Sequence, residues 1–415
     1  MKIAFVLPWY GRDIGGGAEA ECRGLVHSLR QYRPDIHIEV LTTCMKEFSA
    51  DWNDNFFPSG RYSDEGVTVH RFPITPVDRS KFHPMNGYRL MPSVLHDLFL
   101  ADGNVRSPLL QDEERMYFDA MIQSPLLMNE LSQRIHEFDI FIFIPYMFST
   151  AIEGIRRVGK KGVLIPCLHQ ERYAFLDCIR NMFQRAGGVL YHVPSEQKFG
   201  RRLYRTEPKR EFLIGEKVDV NPPTGKGERF RSARRLTRPY ILYAGRKIEG
   251  KNLPLLVSFH SAARERLGET FPDLVIIGGG DLDYSSLTHS HGIHDLGFVS
   301  LEEKFDAMAG ALALCQPSLN ESFSIVMMEA WLQSRPILAH QHCDVTREHC
   351  ELSGGGLIFH SEKSYSSCVM KLASSAPSAN DMGRKGREYV QANFSPEVVV
   401  KRLTDALVSI HNLNG

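Results

Sequence analysis

Short β-branched apolar runs alternate with helix-like stretches along most of this chain. "KIAFVLPW" opens it, followed by the helix-like "GGGAEAECRGLVHSLRQ" and the strand-like "IHIEVLTTC". "VTVHRFPI", "FDIFIFIPY", "KGVLIPCLH", "GVLYHVPS" and "EFLIG" continue the series. Buried apolar runs separated by helices predict a parallel sheet covered on both faces. After Gly215 the character changes: "NPPTGKGERFRSARRLTRPY" is basic and rich in Pro and Gly, and reads as a domain linker. A second series follows, "YILYAGR", "DLVIIGGG", "IHDLGFV", "ALALCQPS", "RPILAH" and "GGLIF". The expected fold class is α/β, with two doubly wound halves in tandem. Residues 49–134 are less regular, with "DWNDNFFPSGRYSD" and "RSKFHPMNGYRLMPS", and predict irregular loops with one or two helices. No repeat of solenoid length is visible.

Composition narrows the class. A chain of 415 residues is long enough for two domains with substantial cores. Its 49 basic and 49 acidic residues balance, so global charge gives no argument for nucleic acid. Eight cysteines lie scattered without a disulfide-like framework, which fits a reducing compartment. "MKIAFVLPWYGRD" reads as a first buried strand, not a signal peptide. The run from Ile140 is too short to span a bilayer. A cytoplasmic protein is expected, with docking at the inner face of a membrane left open.

In open parallel sheets ligands sit beyond the carboxyl ends of strands, so the segments after each strand matter most. "GRKIEGKN" places Arg246 and Lys251 just past one strand end, where two cations suit a diphosphate. Two solvated charges is the plainer reading of that pair alone. "IIGGGD" permits a tight turn, but neither it nor "GGGAEAE" has the spacing of a dinucleotide fingerprint. "NESFSIVMMEAW" carries Glu321 and Glu329 around a helix expected to start near Ser322 to Ser324, either of which could cap it. Its free N–H groups suit a phosphate. Glu321 would face what the phosphate carries. Glu329 lies more than a turn inside, among apolar neighbours, where a carboxylate needs partners or water.

These segments together resemble the group 1 retaining glycosyltransferases, which have the GT-B fold. "PSLNESFSIVMMEAWLQSRPILAH" is similar to their glutamate–seven residues–glutamate signature, and "GRKIEGKN" to their diphosphate-binding Arg and Lys. "LGFVSLEEKFDAMAGALALCQPS" resembles their run through the nucleotide-base loop. In the first half only "GGGAEAE" and "IPCLHQERYAF" match. The resemblance implies two Rossmann-like domains facing a cleft. The acceptor-binding domain would be 1–220, with a C-terminal helix 396–415 crossing back onto it, and the donor-binding domain 221–395. Arg246 and Lys251 would bind the donor diphosphate, and Glu321 the hexose. The backbone at Ser322, Phe323 and Ser324 would bind the phosphate, Asn320 would join the donor site, and Glu329 would hold the ribose. Gly297, Phe298 and Val299 would line the base pocket. Gly16 and Gly17 would approach from the first domain, and His169 would sit near the transferred sugar.

The implied activity is transfer of a hexose, with retention, from GDP-mannose or a UDP-hexose to a glycan or lipid-linked acceptor, in assembly of a surface polysaccharide or glycolipid. No cofactor and no metal is expected, because Arg246, Lys251 and the helix N-terminus can stabilise the departing diphosphate. Three other readings stay open: a sugar-nucleotide epimerase or a phosphorylase of the same fold, or a non-catalytic nucleotide-sugar-binding subunit. Gln170 departs from the pattern, since family members often have Asp there. Other candidates are weaker. Asp281 and Asp283 suit turn chemistry better than a metal. "AHQHCDVTREHC", from His340 to Cys350, fits no standard zinc spacing. The basic stretch from Lys198 to Arg238 reads as a solvated hinge, or as a surface for an anionic lipid.

Overall fold

The computed structural model describes residues 1–12, 14, 17–78, 107, 111–287 and 291–414. The chain forms two compact units, Met1–Lys217 with Pro396–Gly415, and Val218–Ser395. No described helix is long and apolar enough to cross a membrane.

The first unit contains β1 (Lys2–Val6), α1 (Gly17–Tyr32), β2 (His37–Thr43), β3 (Gly60–Asp64), β4 (Val67–Phe72), α2 (Gln111–Asp119), α3 (Pro125–Gln133), β5 (Ile140–Phe143) and α4 (Ser149–Val158). It continues with β6 (Gly162–Leu164), α5 (Asp177–Arg185), β7 (Gly188–Tyr191), α6 (Pro194–Tyr204) and β8 (Glu211–Leu213). Its sheet order is β3-β4-β2-β1-β5-β6-β7-β8, parallel except for β3 on β4. The unbroken apolar runs have a simple cause. Ala4, Val6, Phe141 and Phe143 enter the core on one face, while Ile3, Phe5, Ile140 and Ile142 enter the core on the other. Side chains alternate between faces, so a strand buried on both is apolar at every position.

The edge strand β3 escaped the hydrophobic pattern because it is almost wholly exposed. Its partner is specified by a turn instead. Glu65 and Gly66 both have positive φ, 47° and 78°, as a tight two-residue hairpin of this type requires. The segment 79–93, expected to be loop, lies outside the described residues.

The second unit contains α7 (Gly227–Ala233), β9 (Tyr240–Ala244), α8 (Leu253–Leu267), β10 (Asp273–Ile277), β11 (Ile293–Asp295), α9 (Leu301–Gly310), β12 (Ala313–Gln316) and α10 (Ile325–Leu332). It ends with β13 (Ile337–His340), α11 (Asp344–Ser353), β14 (Gly356–Phe359), α12 (Glu362–Ser374) and α13 (Ala376–Phe394). The sheet order is β11-β10-β9-β12-β13-β14, parallel throughout. The last helix, α14 (Pro396–Asn414), belongs to the first unit. Val399, Leu403, Leu407 and Ile410 join the core formed by β1 and α1. The contact is close: a Cβ on Gly188 would lie 2.3 Å from Ile410 Cδ1.

The expected basic linker is largely not a linker. Its centre folds as α7, anchored by buried Phe230. Lys226 N donates to Asp306 Oδ1 at 2.6 Å, and Arg229 pairs with the same carboxylate. Arg234 pairs with Glu303, and Arg238 Nε lies 3.0 Å from Asp273 Oδ1. Arg201, upstream in α6, pairs with Glu211. Arg229, Arg234 and Arg238, which looked like part of a solvated hinge, are docked on acids distant in sequence.

One polar network holds the flank of the first sheet. Glu39, 5% exposed in β2, receives Arg134 Nη1 and Nη2 at 3.0 Å each, and Lys2 Nζ lies 3.2 Å away. Burial pushes the Glu39 carboxyl up, but hydrogen bonds from Arg134 and Lys2 outweigh it and hold the pKa at about 2. A depressed carboxylate contributes stability above its ordinary value of 4.5, and loses it as pH falls towards about 2. Arg134→Ala is expected to cost about 3 kcal/mol at pH 7, because it strands a buried charge. Urea titrations should show that penalty shrinking as pH drops through this window; a pH-independent penalty would show that packing, not charge, is what Arg134 supplies.

Candidate active site

Strand order places the site. β9 pairs with β10 on one side and β12 on the other, so the order in which strands are added reverses between β9 and β12 although all run parallel. At such a switch point the two adjacent connections leave in opposite directions and open a crevice at the carboxyl ends. The loops that leave there are 245–252 and 317–324, the two segments the sequence singles out.

Several contacts tie these loops together. Lys251 Nζ lies 2.6 Å from Glu321 Oε1. Gln316, the buried last residue of β12, donates from Nε2 to Glu321 Oε1 at 3.3 Å and to Ser324 Oγ at 2.8 Å. Its own Oε1 accepts from Ser318 Oγ at 3.2 Å. Asn252, in left-handed conformation at φ 56°, donates Nδ2 to Pro317 O at 2.9 Å. Tyr243 supports the first loop from beneath by donating its hydroxyl to Arg246 O at 2.7 Å. Burial, reinforced by Glu321, pushes the Tyr243 phenol up, so it stays a neutral donor. Arg246 is exposed, and among the described residues no carboxylate lies within 4 Å of its guanidinium.

Helix α10 begins one residue after the expected range, at Ile325, with Ser324 as its N-cap residue. Neither serine caps it as expected. The Ser324 side chain makes no capping bond; its hydroxyl accepts from Gln316 instead, and its φ is 77°. The first N–H groups of a helix have no partner one full turn back; in α10 Met327 N turns to Ser324 O at 3.1 Å, and the N–H groups of Ile325 and Val326 lie at the loop end. Phe323 is fully buried against the rings of His349 and Phe394, with centroids 5.1 and 4.8 Å away. Only its backbone is available to a ligand. The helix is fixed behind by Trp331, which donates Nε1 to Gly355 O at 2.9 Å.

Glu329 does have the partner that its apolar neighbours require. Lys304 Nζ, from α9, lies 2.6 Å from Glu329 Oε1. The two glutamates therefore occupy different surroundings, each with its own lysine. Sequence reasoning missed Gln316 and Lys304. It also missed a third ion pair, Lys247 Nζ with Asp295 at 2.9 and 3.0 Å. Asp295 also accepts from Gly297 N at 3.2 Å and Tyr284 N at 3.0 Å, which fixes the loop 297–299 after β11. Gly297 has φ 67°, Phe298 is 87% exposed and Val299 is half-buried. For Gln316, Lys247 and Asp295 the advance signal was their place at or just after strand ends; Lys304, inside α9, had none.

Two glycines of "IIGGGD", Gly278 and Gly280, have a packing role. Gly278 at φ 131° brings its backbone so close that a Cβ would lie 1.9 Å from Gly245 O, and Gly278 N donates to Gly297 O at 2.7 Å. Asp283 serves its turn, accepting from Ser285 N at 2.9 Å. In the His340–Cys350 segment, His340 Nδ1 accepts from His342 N at 3.3 Å, while His349 Nδ1 lies 3.0 Å from Tyr389 Oη.

In the first unit, Gly17 is the exposed first residue of α1, and Gly16 lies outside the described residues. His169 follows β6, with Nδ1 3.7 Å from Glu171 Oε1, and that carboxylate accepts from Tyr146 Oη at 2.7 Å. Nearby, His192 is buried between Glu21 and Glu196. Burial opposes its charge, but the two carboxylates outweigh burial and push its pKa up.

Comparison with known proteins identifies the fold and the family of the second unit. Over the whole chain the fold matches a protein from Anabaena, Alr3699/HepE, solved with UDP, at TM-score 0.67 and 15% identity, covering 99% of this chain and 100% of that one. It also matches sucrose-phosphate synthase from Thermosynechococcus elongatus at TM-score 0.65 and 16% identity, with 97% of each chain covered. The architecture is GT-B. Residues 226–389, most of the second unit, match the family of glycosyl transferases group 1. That unit is a group 1 glycosyltransferase domain. Trehalose synthase from Rubrobacter xylanophilus is 27% identical over 180 residues, and that match covers 38% of this chain and 40% of the relative.

The close approach at Gly278 gives a sharp test. Gly278→Ala is expected to cost about 3 kcal/mol or more, through positive φ and collision with Gly245 O. Gly279→Ala, where nothing lies within 4 Å of the added Cβ, should be tolerated. Thermal melts of the two variants that showed equal loss would contradict this account of the turn.

Proposed function

We propose that this chain is a retaining glycosyltransferase that moves a hexose from a nucleoside-diphosphate sugar to a glycan or lipid-linked acceptor. The observation that carries the proposal is the convergence of Lys251, Glu321, Gln316 and the N-terminus of α10 at the switch point of the second sheet, with exposed Arg246 on the adjoining loop. The complexes of the Anabaena protein with UDP and UDP-glucose favour a UDP-hexose as donor, with GDP-mannose the alternative.

The chemistry follows from charge. When the bond between the anomeric carbon and the diphosphate oxygen breaks, negative charge grows on the diphosphate. Arg246, Lys251 and the first-turn N–H groups of α10 stabilise that charge where it develops. These donors leave no need for a metal at the diphosphate. Glu321 orients hydroxyls of the hexose, and Glu329 those of the ribose. Donor binding therefore exchanges each glutamate's lysine contact for sugar contacts, or shares it. The acceptor oxygen bonds to the anomeric carbon on the face the diphosphate leaves, and its proton passes to the departing phosphate oxygen. Configuration is retained without a carboxylate nucleophile. The base lies along 297–299, where exposed Phe298 offers a ring for stacking. In this proposal the first unit binds the acceptor. The biological setting consistent with this chemistry is assembly of a surface polysaccharide on the inner face of a membrane.

Arg246→Ala is expected to lower kcat about a hundredfold or more with a smaller change in affinity, because its charge acts mainly in the transition state. Steady-state kinetics without added Mg²⁺ or Mn²⁺, paired with calorimetry, separate the two; loss confined to affinity would remove this role. Glu329→Ala should instead weaken nucleoside-diphosphate binding by about tenfold, the loss of one charge-assisted hydrogen bond. Unchanged affinity for the nucleotide would take Glu329 out of the site.

A further inference from the structure

A second cluster lies entirely within the first unit and takes no part in the donor chemistry. Glu21, on the second turn of α1, turns one carboxylate oxygen to His192 Nε2 at 2.6 Å and the other to Cys167 Sγ at 3.5 Å. The donor atoms of the three residues all lie within 4.8 Å of one another. They come from three places: α1, the loop after β6 and the residue just after β7. The side chains of Glu21 and His192 are 2% and 0% exposed.

We propose that Glu21, Cys167 and His192 form a binding site for a divalent cation of the zinc class, which ties α1 to the loop carrying His169. The ligand types select the ion. Thiolate and imidazole prefer zinc, whereas magnesium and calcium take oxygen donors. The geometry is close to what such an ion needs: bonds of 2.0–2.3 Å in a tetrahedron place donor atoms about 3.4 Å apart. The Cys167–Glu21 pair at 3.5 Å already fits, the Glu21–His192 pair at 2.6 Å would open, and the Cys167–His192 pair, within 4.8 Å, would adjust to the same spacing.

The surroundings support the same reading. A metal-bound histidine typically holds a carboxylate at its other ring nitrogen. Here Glu196 Oε2 lies 3.2 Å from His192 Nδ1. Glu196 is itself fixed by Leu168 N and His192 N, each donating at 2.6 Å. Cys167 is held at φ 52°, a backbone conformation that side chains adopt only under constraint. Water or the second oxygen of Glu21 can fill the fourth position. On binding, the thiol proton and the imidazole Nε2 proton leave as the two charges of the ion arrive. The net charge of the pocket does not change.

The placement gives the tie a consequence. Cys167 lies two residues before His169, and Glu21 four residues after Gly17. A metal here would fix both first-unit segments in register, without touching the reaction.

The test uses the full-length protein, stripped of metal by chelation, and reads binding directly, so it does not depend on the transferase reading. Titration with Co²⁺ should give one equivalent of tight binding with an intense near-ultraviolet cobalt–thiolate band. Zn²⁺ should displace it and raise the melting temperature of the first unit by a few degrees. Cys167→Ser should abolish the band, and Cys343→Ser should leave it intact. Absence of a thiolate band in the wild-type protein would overturn the proposal, as would a band that survives Cys167→Ser. Because the first of these outcomes needs no variant, a misfolded substitution cannot protect the idea.

Discussion

The 2.6 Å contact between Lys251 and Glu321 is where the organisation of the second unit meets its chemistry. The two residues are seventy positions apart in sequence, and nothing local brings them together. What does is the strand order: β9 and β12 are neighbours in a parallel sheet, so the loops at their carboxyl ends emerge side by side. Gln316 and Asn252 then stitch the loops together with neutral hydrogen bonds. An ion pair with Lys251 26% and Glu321 11% exposed is neither fully desolvated nor freely screened. Such a pair can hold two loops in place in the free protein and still be reorganised by a polyanionic ligand.

Glu329 and Lys304 repeat the arrangement one helix further on, and Lys247 with Asp295 repeats it under the base loop. Three lysine–carboxylate pairs thus surround the carboxyl end of one sheet, while Arg246 alone of the four cations there has no carboxylate partner among the described residues. The asymmetry separates cations that shape the loops from one available to a ligand's charge.

Much of this was legible in the sequence, for a physical reason. Strands buried on both faces must be apolar throughout, so "KIAFV" and "DLVII" announced themselves, as did the residues that follow them. What was hidden depends on contacts at a distance. The edge strand β3 carries no apolar pattern because it faces water. The arginines of the supposed hinge looked solvated because Asp306, Glu303 and Asp273, which bind them, lie tens of residues away. Ser324 looked like a helix cap because its residue type is right; its hydroxyl was already committed to Gln316. Glu329 was conspicuous as an acid among apolar neighbours, but no local rule could supply Lys304. The His192 cluster was invisible for the same reason, since α1 and the segments after β6 and β7 contribute one ligand each.

The central claim is that the switch point of the second sheet binds a nucleoside diphosphate and the sugar it carries. It is tested most directly by thermal shift of the wild-type protein against nucleoside mono- and diphosphates and their hexose conjugates. Binding to the folded state alone stabilises it by about 2.7 kcal/mol at a hundredfold excess over Kd. The account predicts a clear rise in melting temperature with the diphosphate of one base and its hexose conjugate, and a much smaller rise with that base's monophosphate, which lacks the group that Arg246, Lys251 and α10 address. Equal shifts for mono- and diphosphates, or no shift with any diphosphate, would contradict it.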